Sequence, residues 1–274
     1  MENYLKMFLR EAEFVVFDVE TTGLNPEKGD KICEIGAVRV RKGEVVSKFS
    51  QLVNPKREIP PSSINIHGIS LEELAVAPFF EEAVDSFLEF IDNFFLLGYN
   101  VEFDLGFLNF ELRAIGRKPV SNIYLDILEL CRRFLNLKRY NLFRVAEFFS
   151  LSSQGLHRAY KDALTSAKIF LRLIPYLEER GFKTLEELCN IFGSGRSLLN
   201  SDSPKIKMVQ KALKENLKLK IRYYSFSKRE FTEREVLPQK LELRGKKYFL
   251  IGECLLRSER RSFNLDNIIE LEVV

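Results

Sequence analysis

Residues 14–23 read Phe14-Val15-Val16-Phe17-Asp18-Val19-Glu20-Thr21-Thr22-Gly23. The four apolar residues at the front fit a buried strand. On a strand, side chains two apart share a face, so Asp18 and Glu20 project together where the chain leaves the core. Paired carboxylates repel each other, and burying an unpaired charge costs several kcal/mol. A divalent cation with hard oxygen ligands resolves both problems. On these two residues alone, a solvated pair of strand-end acids fits equally well.

Two later segments add to the pair. Asp104 closes Gly98-Tyr99-Asn100-Val101-Glu102-Phe103-Asp104, and Phe103, Phe107, Leu108 and Leu112 then make one face of a helix, which places Asp104 near its first turn. His157 and Asp162 belong to His157-Arg158-Ala159-Tyr160-Lys161-Asp162-Ala163, where a second amphipathic helix begins with Tyr160, Leu164, Ala167, Leu171 and Ile174 on one side. A histidine in the loop before a helix and an aspartate in its opening turns can reach a common point. Four acidic oxygen ligands from three separated elements, with one histidine beside them, meet the needs of a two-metal phosphodiesterase. One ion activates water and the other steadies the leaving oxygen, about 4 Å away.

The strings FVVFDVETTGLNP, NIHGIS, GYNVEFDLGFL and HRAYKDA, in this order, resemble the motifs of the DEDDh 3′-to-5′ exonucleases, the superfamily of the polymerase III epsilon subunit, RNase T and oligoribonuclease. The resemblance covers about the first 175 residues. It implies that Asp18, Glu20, Asp104 and Asp162 are metal ligands and that His157 is the general base. It also implies that Thr21, Thr22, Gly23, Leu24, His67, Asn100 and Phe103 bind the terminal nucleotide. In one departure, Tyr99 stands where many members have histidine before the asparagine, which bears on substrate preference more than on chemistry.

The 274 residues, 46% of them hydrophobic, suffice for one large or two small domains with a proper core. No apolar stretch approaches a membrane span, and the start of the chain is broken by Lys6, Arg10, Glu11 and Glu13, unlike a signal peptide, so the cytoplasm is the expected location. Cys33, Cys131, Cys189 and Cys254 are widely spaced with no CxxC pair, and read as reduced residues in or near the core. Residues 204–274 carry 17 Lys and Arg against 10 Asp and Glu, or +7, while residues 1–203 carry −4. Such a split points to a catalytic half and a half facing a polyanion.

Along the first region, Ile32 to Arg39 and Val45 to Leu52 read as strands of a meander that turns near Arg41-Lys42-Gly43-Glu44. Ser70 with Glu73 makes a capping box, and Pro78 suits the first turn of a helix burying Phe80, Val84, Phe87 and Ile91. Phe94 to Tyr99 and Ile123 to Leu125 read as short strands, with Asp126 as a helix cap rather than a fifth ligand. The result is an α/β fold, a mixed sheet with flanking helices, the ribonuclease H-like arrangement that the resemblance also implies. It is expected over residues 1–180.

Thr184 and Glu187 form another capping box on a short helix, and Gly193 to Ser203 breaks periodicity as a linker does, so 181–203 is expected to be short helix and linker. From Ser203-Pro204 a helix carries Ile206, Val209, Leu213 and Leu217 on one stripe, and about five short strands follow. These read as a small β-barrel. The spacing of Ile221-x-Tyr223, Arg234-x-Val236-Leu237-Pro238, Tyr248-Phe249-Leu250 and Phe263-x-Leu265-Asp266-Asn267-Ile268 resembles the WYL domain over 204–274, an Sm- or SH3-like barrel associated with ligand or nucleic-acid sensing. Here Tyr248 and Phe249 replace the signature Trp and Tyr, and Asn264 and Asn267 stand where basic residues often occur. Tyr248 and Phe249 read equally as packing residues.

These observations lead to a 3′-to-5′ exonuclease with an appended WYL-like domain, using two Mg²⁺ or Mn²⁺ ions because an all-oxygen site suits both. By the resemblance its partners are 3′ ends of single-stranded DNA or RNA, DNA favoured, and its product is a nucleoside 5′-monophosphate. No Gly-rich loop ending in Lys-Ser or Lys-Thr points to ATP. A competing reading is a regulator whose WYL-like part senses nucleic acid or an unknown ligand while the first domain only binds strand ends. A replicase subunit is a third; no clamp-binding peptide of the Gln-x-x-Leu-Phe type is present, which favours a stand-alone nuclease or repair factor over a polymerase-held one.

Overall fold

The run Phe14–Phe17 lies within β1 (Glu13–Thr21), the central strand of a five-stranded sheet. The computed structural model describes residues 6–194, 203–256 and 258–274. Two compact units divide the chain, Met1–Tyr176 and Leu177–Val274.

In the first unit, β2 (Ile32–Arg41) and β3 (Glu44–Leu52) extend β1 as the expected antiparallel meander. Helices α1 (Pro61–His67), α2 (Leu71–Ala75) and α3 (Phe80–Ile91) follow. The capping box opens α2 with both its bonds, from Glu73 N to Ser70 Oγ and from Ser70 N to the Glu73 carboxylate. Pro78 lies outside α3, whose entry is held instead by the Glu82 carboxylate on Phe79 N at 2.8 Å. Then come β4 (Leu96–Gly98), α4 (Val101–Ala114), β5 (Tyr124–Asp126), α5 (Ile127–Phe134), α6 (Leu142–Phe148) and α7 (Ala159–Glu179). β4 and β5 run parallel to β1, giving the order β3-β2-β1-β4-β5 of a mixed sheet.

Both faces of β1 are buried, which is why its sequence shows a continuous apolar run instead of alternation. Val15, Phe17 and Val19 pack with Phe80, Val84 and Phe87 of α3 and Leu105 and Leu108 of α4. On the opposite face Phe14 meets Phe170 of α7 edge to face, with ring centroids 5.1 Å apart. The buried stripe of α7 differs in part from the expected one. Ala167 and Ile174 are buried as expected, but Ala163 and Phe170 are buried beside them while Tyr160, Leu164 and Leu171 are only half-buried. At its start the backbone of Ala159 and Tyr160 lies directly against Gly36 of β2, and further along the larger Phe170 fills the space beside Phe14.

The second unit contains α8 (Leu185–Phe192), α9 (Pro204–Glu215) and five antiparallel strands: β6 (Leu219–Ser225), β7 (Glu230–Arg244), β8 (Lys247–Cys254), β9 (Glu259–Asn264) and β10 (Ile268–Val273), in the order β10-β6-β7-β8-β9. Among the described residues no pairing joins β9 to β10. An open antiparallel sheet is therefore what stands, and closure into a barrel is not seen. Ile206, Val209 and Ala212 of α9 pack on Ile221, Val236, Leu250 and Phe263. The helix α8 is fastened to the same sheet: Phe182 and Phe192 contact Tyr224 at 5.1 and 5.7 Å between centroids, and Arg222 pairs with Glu187 at 2.6 Å. Of the stretch expected as a linker, 195–202 lies outside the described residues. Tyr248 packs against this core, and Arg244 sits 4.9 Å over the ring of Phe249. All four cysteines are buried and free.

Candidate active site

Three elements of the first unit deliver the acidic groups. Asp18 and Glu20 leave the end of β1 on one face, and Asp162 comes from the first turn of α7. One carboxylate oxygen from each lies within 4.8 Å of the others, close enough for a common cation. Asp104, in the first turn of α4, is buried, and its Oδ1 accepts a hydrogen bond from Val19 N at 2.9 Å. That bond ties α4 to β1 between the two strand acids; Asp104 lies outside the three-oxygen cluster, and its charge acts on Asp18. His157 has a left-handed backbone, φ +67°, and its N–H donates to Asp162 Oδ1 at 3.0 Å. It lines a pocket of about 360 Å³ with Asp162, Leu156 and Phe143.

The electrostatics are those of a site short of positive charge. Burial, then the charges of Asp104, Asp162, Glu20 and Glu34, hold the Asp18 carboxyl well above the ordinary carboxylate range. Burial, helped by Asp162 and Glu34, pushes Glu20 up to about 8 against the pull of Arg158. Asp162 is pushed up to about 6 by burial, against the hydrogen bond and charge of His157. Crowded carboxylates of this kind cannot all ionise unless a cation is supplied.

The sequence reading missed the group that positions α7. Glu34 of β2 stands opposite Glu20 in the ladder and is 1% exposed. It accepts from Arg158 Nε at 3.0 Å, Arg158 Nη2 at 3.1 Å and Ala159 N at 3.0 Å, so one carboxylate both pairs the arginine after His157 and caps the first turn carrying Asp162. The available signal was an acid inside the otherwise buried run Ile32-Cys33-Glu34-Ile35. Two residues on, Gly36 lets the helix lie directly on the strand: a Cβ there would strike Tyr160 N and the carbonyl carbon of Ala159. Gly36→Ala should therefore displace the start of α7, destabilising the fold by about 1–3 kcal/mol as overpacking does and lowering turnover at least as strongly. Urea unfolding together with an activity assay checks this; an unchanged midpoint would show that the helix can yield.

The residues expected at the terminal nucleotide fall into two groups. Thr22 is buried and spent on structure, its Oγ1 accepting from Lys31 N and its carbonyl from Ser63 Oγ. Thr21 Oγ1 donates to Gly23 O at 2.6 Å, and a Cβ on Gly23 would strike the Asp30 carboxylate. Leu24, by contrast, is 83% exposed. His67 is buried at the end of α1; its Nδ1 accepts from Ile69 N, burial lowers its pKa, and its Nε2 has no partner among the described residues. Asn100 takes the left-handed conformation, φ 67°, at the head of α4, where Asp126 Oδ1 accepts its N–H and also caps α5 through Leu128 N. Phe103 packs on Phe107 at 5.0 Å. Tyr99 turns its hydroxyl to Tyr140 O at 2.5 Å.

Comparison with known proteins follows this division. The exonuclease family RNase_T matches residues 15–170, and the WYL domain family matches 204–273. The epsilon subunit of DNA polymerase III from Aquifex aeolicus is 39% identical over 176 residues, 64% of this chain and 85% of that protein. A PolC-type DNA polymerase III from Caldanaerobacter subterraneus is 38% identical over 182 residues, 66% of this chain but only 13% of the polymerase. Among solved structures, Exonuclease X in complex with 5′ overhanging duplex DNA shares the fold, with a TM-score of 0.52 and 24% identity over 65% of this chain and 98% of that one. No helix among the described residues is long and apolar enough to cross a membrane.

Proposed function

This chain belongs to the exonuclease family RNase_T, and on that premise we propose that it is a metal-dependent 3′-to-5′ exonuclease. It acts on single-stranded nucleic-acid ends, DNA in preference, and releases nucleoside 5′-monophosphates. The observation that carries this reading is the convergence of Asp18, Glu20 and Asp162 oxygens within 4.8 Å, with the backbone N–H of His157 bonded to Asp162 beside them. The donors are all carboxylate oxygens, the set that hard divalent cations prefer, and their raised pKa values mark a site missing positive charge. Mg²⁺ or Mn²⁺, when bound, supplies Lewis-acid activation of water and of the leaving oxygen. Asp18, Glu20, Asp104 and Asp162 would hold the ions. His157, on an exposed loop at the pocket wall, takes the proton of the attacking water. Exposed Leu24, with Gly23, His67, Asn100 and Phe103, contacts the terminal nucleotide; buried Thr22 and neighbouring Thr21 shape that loop.

The WYL domain serves as an anchor for nucleic acid or as a regulatory domain, a reading supported by its +7 charge. The protein works in the cytoplasm as a stand-alone nuclease or repair factor, and co-purification with a polymerase would redirect this to a replicase subunit. Digestion of matched 3′- and 5′-labelled DNA and RNA strands, with Mg²⁺, Mn²⁺ or a chelator, tests the whole reading. Stepwise shortening from the 3′ end with metal is expected; no hydrolysis under any of these conditions would favour the regulator that only binds ends.

The metal can also be read from stability. Folding lifts Glu20 to about 8 and Asp162 to about 6, above ordinary carboxylate values, so the metal-free fold keeps protons that the unfolded chain releases. Stability is fully present below the ordinary carboxylate range and is lost as pH rises through those two values. The Tm of chelator-treated protein should fall between about pH 5 and pH 8, and saturating Mn²⁺ should raise it more at pH 8 than at pH 5. A Tm that ignores both pH and metal would remove the case for a cation site.

A further inference from the structure

The pocket beside His157 borders a stretch of the first unit that the mechanism does not use. Between Glu129 and Glu147 the sequence holds five cations, Arg132, Arg133, Lys138, Arg139 and Arg144, and no carboxylate. All five are exposed, and Arg132, Lys138 and Arg139 have no salt bridge among the described residues. At the end of this stretch Phe143 is 44% exposed on the pocket rim, with Arg144 5.4 Å over its ring. Exposed aromatic faces among unpaired cations are how single strands are held, bases stacking while phosphates meet Lys and Arg.

The stretch is also fixed relative to the acidic centre. Tyr140 staples its own loop, its hydroxyl donating to Leu135 O at 3.0 Å and accepting from Leu137 N at 3.1 Å. Tyr99 then bonds the Tyr140 carbonyl at 2.5 Å, and Tyr99 directly precedes Asn100 at the head of the helix that bears Asp104. From the pocket, the cations and this staple we infer that residues 132–144 form the track for the strand on the 5′ side of the terminal nucleotide, with Phe143 stacking a base and Lys138 and Arg139 contacting phosphates. The track deepens the exonuclease reading and rests on it for the direction of the strand.

The test compares a dinucleotide with a single-stranded 12-mer, using wild type, Phe143→Ala, Phe143→Tyr and the double change Lys138→Ala with Arg139→Ala. Hydrolysis is followed with Mn²⁺, and binding of a labelled 12-mer by anisotropy in chelator. Phe143→Ala should cut the 12-mer to dinucleotide ratio of kcat/KM about tenfold, the loss of one stacked base, and Phe143→Tyr should restore it. The double variant should weaken 12-mer binding and flatten its log–log salt slope by about 1.4, the value for two phosphate contacts on a single strand. Wild-type ratio, affinity and slope in both Phe143→Ala and the double variant would overturn the track. If wild type binds the 12-mer, the variants bind it more weakly and none cleaves either substrate, the exonuclease reading fails while the track stands.

Discussion

Asp18→Asn should abolish hydrolysis and, in the absence of metal, make the protein more stable. The two effects have one origin. Asp18 is held far above ordinary carboxylate behaviour by burial and by four neighbouring acids, so removing its charge relieves repulsion in the metal-free fold. The same change deletes a ligand from the three-oxygen cluster. Transition-state stabilisation by a bound cation is worth several kcal/mol, so turnover should drop by about 10³-fold or more. A thermal melt in chelator near pH 8 should show a higher Tm than wild type, while end-labelled oligomers with Mn²⁺ should show almost no shortening. An ordinary structural acid would lose stability on substitution, so a lower Tm with wild-type turnover would remove Asp18 from the site.

Replacing His157 should have the second-largest effect and a different signature. A general base contributes roughly 10²- to 10⁴-fold, so His157→Ala should lose kcat in that range with KM little changed. Metal affinity should survive, because the imidazole is outside the carboxylate cluster and the backbone N–H, not the ring, bonds Asp162. The left-handed φ of +67° makes His157→Asn the better-folded control, since Asn tolerates that conformation. Added imidazole should restore part of the activity of the alanine variant. Full activity in both variants would leave His157 with only its backbone role at Asp162.

The contrast between Asp18 and Glu34 shows how far a linear reading reaches. Asp18 and Glu20 were legible because strand alternation fixes their common face, and Asp104 and Asp162 because helical periodicity places each in a first turn. Membership in the exonuclease family was carried by those same strings. Glu34 was not legible as a cap of α7, since its partners Arg158 and Ala159 lie 124 and 125 residues away and no local pattern records them.

Packing decided the remaining features. The helical pattern after His157 put Tyr160, Leu164, Ala167, Leu171 and Ile174 on one side; Ala167 and Ile174 are buried as expected, but the backbone of Ala159 and Tyr160 lies against Gly36, and Ala163 and Phe170 are buried in place of Leu164 and Leu171. The short helix at 185–192 was foreseen with Thr184 as its cap, although the Glu187 carboxylate accepts from Lys183 N instead of closing a capping box; its attachment to the C-terminal sheet depends on Phe182, Phe192 and Arg222, which meet only once β6 is formed. The sequence by itself determined most of the strands and helices and the placement of the acids, Asp18 and Glu20 on one face of β1 and Asp104 and Asp162 in first helical turns, because these depend on spacing within one strand or one helix. Only the tertiary structure decided which oxygens come within 4.8 Å, which acid is given over to holding α7, and how Tyr99 fixes the basic stretch beside the pocket, because those contacts are made between residues far apart in the chain.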